Sequence, residues 1–209
     1  MPPPPFDPAH PRLYLASRSA RRRELLGQMG ICFSPLFFRE PPRRDDVDET
    51  PLPDETPGAC VERLARAKAE HGRRVVELRR LAPMLVLAAD TVVEIDGEII
   101  GKPADAAGAA ATLRRLAGRT HRVLTAVAVA FGETLDSAVC TSEVAFGEIP
   151  DAEIRRYVAS GEPMDKAGAY GIQGRAGVFV AHLSGSYSGV MGLPLYETAQ
   201  LLRRFGFSP

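Results

Sequence analysis

The residues best equipped for chemistry fall in a few short stretches. Ser17-Arg18-Ser19-Ala20-Arg21-Arg22-Arg23 opens an apolar-periodic helix in which Leu25, Leu26 and Met29 form the inward stripe. A helix start carries unpaired N–H groups and a partial positive charge, so each cation in its first turn is disfavoured by about 0.3–1 kcal/mol. A bound anion would repair that conflict, because N–H groups, serine hydroxyls and guanidinium forks together make a phosphate cradle. Successive helical residues point about 100° apart, so at most two of the three arginines face one ligand. The bland alternative is an exposed basic turn.

Lys68 falls in the apolar face of a second helix, with Val61, Leu64 and Ala65. It is either a ligand group or a lysine snorkelling from a buried stem. Lys102, in Gly101-Lys102-Pro103, is held by proline just after a hairpin strand, as a site residue or an exposed loop lysine. These two are among only three lysines in a chain with 26 cations. Asp90 ends the six-residue apolar run Met84 to Ala89. A carboxylate there must be paired, metal-bound or shifted in pKa, which makes it a candidate metal ligand or general base, or else a strand-end cap. Glu49 stands in the acidic run Asp45 to Glu49, and solvated loop is its alternative. Gly168-Ala169-Tyr170-Gly171-Ile172-Gln173-Gly174 is a glycine-spaced loop that allows close backbone approach, and Gln173 offers one donor and one acceptor, the complement of a uracil or thymine edge. A flexible turn would look the same. Together these parts suit a polyphosphate, with Mg²⁺ bridging its oxygens and an activated water attacking phosphorus.

The elements that must position these groups follow from periodicity and punctuation. Strands are predicted at Leu13 to Ala16, Ile31 to Phe38, Met84 to Ile95, Glu98 to Gly101, Thr120 to Phe131, Ala138 to Glu148 and Gly177 to Leu183, with Asp96-Gly97 as a hairpin turn. Helices are predicted at Ala20 to Met29, Gly58 to Leu81, Ala106 to Ala117 capped by Asp105, Asp151 to Ala159, and from Pro194 through Phe205. This order gives an α/β fold with a mixed, bent central sheet flanked by helices. Met1 to Pro11 is expected to be a disordered proline-rich lead, and residues 12–209 a single catalytic domain.

Composition removes several function classes. Lys plus Arg equals Asp plus Glu at 26 each, so there is no global basic field to recruit nucleic acid, and any anion must be held by a local cluster. Cys32, Cys60 and Cys140 are odd in number and widely spaced, which argues against disulfides or structural zinc. No apolar run approaches the roughly 20 residues of a membrane span, so a cytoplasmic protein is expected. His71, His121 and His182 lack metal-ligand spacing and read as structural or exposed.

Leu15 to Leu26, Ala89-Asp90-Thr91-Val92-Val93, Gly101-Lys102-Pro103, Asp165 to Gly174 and Gly192-Leu193-Pro194-Leu195 resemble, in order, the blocks of the Maf-like nucleoside triphosphate pyrophosphatases. The resemblance implies an inosine-triphosphatase-like fold of two lobes with a cleft, a divalent cation such as Mg²⁺ or Mn²⁺, and a homodimer. It implies cleavage between the α and β phosphates of a nucleoside triphosphate, giving the monophosphate and pyrophosphate, as nucleotide-pool cleaning. By this likeness Asp90 is the proton acceptor, with Lys68 and Lys102 beside it. Ser19, Arg21 and Arg22 bind substrate, and Glu49 with Asp90 holds the metal. The Tyr170 and Gln173 block resembles the branch acting on dTTP and UTP, in which Arg21, Thr91 and Gln173 are linked with substrate choice; modified uridine triphosphates are further candidates. Ala20 departs from the usual proline, which implies a small loss of pre-organisation with activity kept. The rivals are a regulator of cell division that binds nucleotide or nucleic acid without turnover, and a purine-directed triphosphatase of the same fold.

Overall fold

The apolar run around Asp90 forms the strand on which the architecture turns. In the computed structural model, which describes residues 12–38 and 47–207, this is β3 (Leu85–Ile95). The expected lead Met1 to Pro11, the run Pro41 to Arg44 and the last two residues lie outside the described residues. Before β3 come β1 (Arg12–Leu15), α1 (Ala20–Gln28), β2 (Cys32–Pro35) and α2 (Pro57–Leu78); after it come β4 (Glu98–Ile100), α3 (Ala106–Leu116), β5 (Thr120–Phe131), β6 (Thr134–Phe146), α4 (Asp151–Ala159), β7 (Val180–Ser184), α5 (Tyr187–Met191) and α6 (Leu195–Arg204). The strands form one sheet in the order β2-β1-β3-β5-β6-β7, with β4 added to β3. β1 lies parallel to β2 and β3, and every other pairing is antiparallel. The sheet is therefore mixed, as the sequence predicts.

Period-two alternation along β3 feeds two cores. Leu85, Leu87, Ala89, Val93 and Ile95 pack with Leu25 and Leu26 of α1, Leu113 and Leu116 of α3, and Leu201 and Leu202 of α6. Val86, Ala88 and Val92 pack on the other face with Val61, Ala65 and Ala69 of α2. Both faces are covered, which is why the run reads as continuously apolar.

Boundaries move where tertiary pairing overrides local pattern. β2 stops at Pro35, after which Leu36 N–H donates to Leu15 O at 2.9 Å. α2 starts one residue early, because Thr56 caps it and Pro57 takes the first helical position, and it ends before Arg80, whose φ of +51° leaves the helix. β6 begins four residues before the predicted Ala138, because Gly132 at φ +55° allows a tight turn and pairing starts at Thr134. The predicted strand from Gly177 begins instead at Val180. Arg175–Phe179 is a 3₁₀ turn, packed so closely that a Cβ on Gly177 would lie 2.9 Å from Ile172 O.

Candidate active site

One edge of β3 is paired with β5 along its length, from Val86 to Glu94. The other edge is shared: β1 pairs with Leu85 to Leu87 and β4 with Val93 to Ile95. Between them, around Asp90 and Thr91, the sheet is parted, and a cavity of about 980 Å³ opens there. It lies beyond the carboxyl end of β1, the usual crevice of parallel strands. Because the break exposes the strand from the side, neighbours on opposite faces reach one ligand: Asp90 points toward α2, and Thr91 toward α1 and α5.

On the α1 side, Ser19 is the N-cap and its hydroxyl accepts from Arg22 N–H at 3.3 Å, so the cap forms although Ala20 stands at the first helical position. The first turn holds no acid. Arg21 and Arg22 line the cavity, whereas Arg23 donates to Arg18 O at 2.9 Å and does not, as the helical angle requires. Arg22 is the most fixed of them. Its Nε donates to Gly192 O at 2.8 Å, Nη2 to Thr91 Oγ1 at 3.1 Å and Nη1 to Ser17 Oγ at 3.4 Å. Burial pulls its pKa down, against the opposing pull of Asp90 and Glu49, yet a guanidinium stays charged throughout. Arg21 reaches across to Asp165 at 3.7 Å.

On the α2 side, Lys68 Nζ lies 2.7 Å from Asp90 Oδ1 and 2.6 Å from Glu49 Oε1. At the end of its buried stem the ammonium bridges two carboxylates at the cavity wall. Burial pushes the Glu49 carboxyl up, but Lys68 in contact, with Lys102 and Arg22 further off, holds it below the ordinary range. Lys102 follows β4. Its neighbour Gly101 accepts through its carbonyl from Gly168 N–H at 3.2 Å, which ties this strand exit to the glycine loop.

That loop closes the cavity. Gly168, at φ +71°, sits against β3 with no room for a side chain, since a Cβ would lie 2.8 Å from Val93 Cγ2. Tyr170 is buried and its hydroxyl meets His121 Nε2 at 2.8 Å, in a cluster of edge-on rings that includes Phe146 and Phe179. Gly171 N–H donates to Tyr157 Oη at 3.3 Å. With its rear anchored in this way, the loop presents Gln173 at the cavity wall.

All of Ser19, Arg21, Arg22, Glu49, Lys68, Asp90, Thr91, Lys102 and Gln173 line this one cavity. Six cations, Arg18, Arg21, Arg22, Lys68, Lys102 and Lys166, face three carboxylates, Glu49, Asp90 and Asp165. A chain of zero net charge thus concentrates positive charge where a polyphosphate would lie. Among the described residues no group of three or more His, Cys, Asp or Glu side chains could hold a metal alone. The carboxylate oxygens that Lys68 leaves free on Glu49 and Asp90 suit a hard ion that takes its remaining ligands from phosphate and water.

Residues 12–205 match the family described as Maf-like protein. The dTTP/UTP pyrophosphatase of Dechloromonas aromatica (strain RCB) is 63% identical over 199 residues, spanning 95% of this chain and 99% of that protein. The chain belongs to the Maf-like protein family. The dTTP/UTP pyrophosphatase of Aromatoleum aromaticum (strain DSM 19018 / LMG 30748 / EbN1) is 58% identical over 204 residues, 97% of this chain and 99% of that protein. Among solved structures, the Staphylococcus aureus Ham1 protein matches 67% of this chain and 72% of its own at 19% identity, with a TM-score of 0.44.

Sequence reasoning passed over parts of this Maf-like site. Lys166 also lines the cavity, its Nζ held by Glu162 O and Asp165 Oδ1, both at 2.6 Å. The signal was present: all three lysines of an arginine-biased chain converge here. Arg18 and Asp165 were missed as wall residues because their positions depend on how α1 meets the glycine loop.

Proposed function

We propose that this protein hydrolyses dTTP and UTP between the α and β phosphates, giving the nucleoside monophosphate and pyrophosphate. The observation that carries this reading is the Asp90–Lys68–Glu49 cluster facing the Ser19, Arg21 and Arg22 cradle across one cavity. The names of the relatives above support the substrate class. Modified uridine triphosphates fit the same donor and acceptor pattern at Gln173.

In this mechanism the triphosphate lies along the α1 start, where backbone N–H groups, Ser19 and the two arginines hold its oxygens. Asp90 accepts a proton from a water that attacks the α phosphorus. The new phosphorus–oxygen bond forms as the bond to the bridging α–β oxygen breaks, and pyrophosphate leaves with the electron pair. Lys68 donates to Asp90 Oδ1 at 2.7 Å and so fixes the direction of the carboxylate. Lys102 and Lys166 add positive charge on the loop side, where the leaving group gains negative charge. A divalent cation held by Glu49 and Asp90, when bound, supplies further charge neutralisation of the phosphates. Gln173 reads the base edge, and Arg21 and Thr91 tune substrate choice from the phosphate side. The homodimer and the cytoplasmic setting belong to the same proposal; no helix among the described residues is long and apolar enough to cross a membrane.

A panel of purified nucleoside triphosphates, assayed for released pyrophosphate with Mg²⁺ or Mn²⁺, tests the reading. The expected result is turnover of dTTP and UTP well above the purines. Purine preference would transfer the activity to the related triphosphatase class, and tight binding without turnover would make the protein a regulator.

A further inference from the structure

Thr125 has no solvent exposure and stands directly opposite Thr91 in the β3–β5 register. It does not line the cavity, and none of the roles assigned above uses it. Its hydroxyl lies 3.0 Å from Thr91 Oγ1 and 2.7 Å from Gly189 O. A carbonyl only accepts, so the single proton of Thr125 is committed to Gly189. In the contact between the two hydroxyls Thr91 is therefore the donor. That leaves Thr91 with lone pairs alone for Arg22 Nη2, a group that can only donate, at 3.1 Å. The direction of the whole chain is fixed from its buried end: Arg22 donates to Thr91, Thr91 to Thr125, and Thr125 to Gly189.

A guanidinium carries five N–H groups. In Arg22 three are committed, to Gly192 O, Thr91 and Ser17. One N–H on each terminal nitrogen remains for a ligand. The angle at which that pair faces the cavity depends on the acceptors behind it, and the lone pairs of Thr91 are held toward Arg22 while Thr125 takes the Thr91 proton. Were Thr125 unable to accept, the Thr91 hydroxyl would be free to rotate, and its lone pairs would no longer be held toward Arg22.

We propose that Thr125 is a positioning residue for triphosphate binding: it fixes Thr91 as an acceptor and so aims Arg22 at the phosphates. This deepens the reading above and rests on a triphosphate being the ligand. The isosteric Thr125→Val keeps the β-branched shape that suits a strand. It also leaves no orphaned carbonyl, since Gly189 O still accepts from Gly192 N–H at 2.9 Å.

The test measures binding of inorganic tripolyphosphate by calorimetry, with melting curves and dTTP kinetics alongside. It compares wild type, Thr125→Val, Thr125→Ser, Arg22→Lys and the Thr125→Val/Arg22→Lys double variant. Thr125→Val is expected to weaken tripolyphosphate binding about tenfold, the scale of one lost orienting hydrogen bond. KM for dTTP should rise by a similar factor, with kcat changed less than about threefold. Thr125→Ser should return affinity to within about twofold of wild type. In the Arg22→Lys background Thr125→Val should cost less than about twofold, because the residue through which it acts is gone. Equal losses in both backgrounds, or unchanged affinity in the single variant, would overturn the proposal. If Thr125→Val does not fold, Thr125→Ala, which removes any clash from the added methyl, makes the same comparison. Coupling between the variants with no turnover by the wild type would sink the hydrolytic reading alone. Turnover without coupling would sink the role of Thr125 alone, and no tripolyphosphate binding would sink both.

Discussion

Asp90→Asn separates holding a triphosphate from cutting it. The amide matches the carboxylate in shape, and its oxygen can still accept from the Lys68 ammonium that now sits 2.7 Å from Oδ1. Lys68 also keeps its contact with Glu49, so the fold should survive with a melting temperature within a few degrees of wild type. The cavity changes from six cations facing three carboxylates to six facing two. A phosphate oxygen about 4 Å from the lost charge was repelled by about 4 kcal/mol at an effective dielectric of 20. Water and ions in an open cavity reduce that to ~1 kcal/mol, so without metal dTTP should bind the variant at least as tightly as wild type, and up to about tenfold more tightly. The proton acceptor is gone, and kcat should fall by at least about 100-fold. Pyrophosphate release gives kcat, and calorimetry with dTTP in EDTA, where the cation that Asp90 also helps to hold plays no part, gives affinity. A kcat within about threefold of wild type, with normal metal dependence, would remove Asp90 from the chemistry. A loss of affinity as large as the loss of rate would make it a binding group instead.

Three other outcomes follow from the same structure. Gln173→Ala should cut the preference for dTTP over purine nucleotides by about tenfold while leaving tripolyphosphate binding unchanged, as measured by competition kinetics; equal losses for every nucleotide would contradict its role. Burial holds His121 down at about 4, against 6.5 for a free imidazole, so the unfolded chain binds more protons between these values. Stability is therefore complete above about pH 6.5 and falls with pH by up to ~3 kcal/mol on approaching pH 4. Urea midpoints across this range should show the decline in wild type and a shallower one in His121→Gln. Finally, Gly72→Ala would place a Cβ 2.7 Å from Val86 Cγ1 and 3.3 Å from Ala16 Cβ, where α2 meets the sheet. Overpacking of about 1–3 kcal/mol exceeds the roughly 1 kcal/mol gained in helix propensity, so urea unfolding should show a net loss near 1 kcal/mol.

Much of this arrangement can be read from the chain because local pattern and tertiary role agree there. The run before Asp90 is apolar at every position because β3 is covered on both faces, and a lone carboxylate in such a run has few harmless explanations. The crowded cations after Ser19 violate a helix-start rule that a ligand would mend, and the angular step of the helix separates Arg23 from its neighbours. Lys68 carries a weaker signal, since a buried stem alone looks the same in the sequence; its contact with both carboxylates appears only in the fold. The early start of β6 and the 3₁₀ turn before β7 depend on partners distant in sequence. So does the short α5 (Tyr187–Met191), whose five residues are too few to show a period. Thr125 was invisible for a different reason: a threonine suits any strand, and its meaning lies in which way a hydrogen bond runs.

The parted edge of β3 also limits how this gene can change. Asp90 and Thr91 serve opposite walls only because they are consecutive on a ladder pinned to β5. Insertion or deletion of a single codon between Leu87 and Asp90 would send the acid toward the arginines and the threonine toward Lys68, reversing the polarity of both walls at once. Side chains lining the opening can drift one at a time, but the length of that segment is locked.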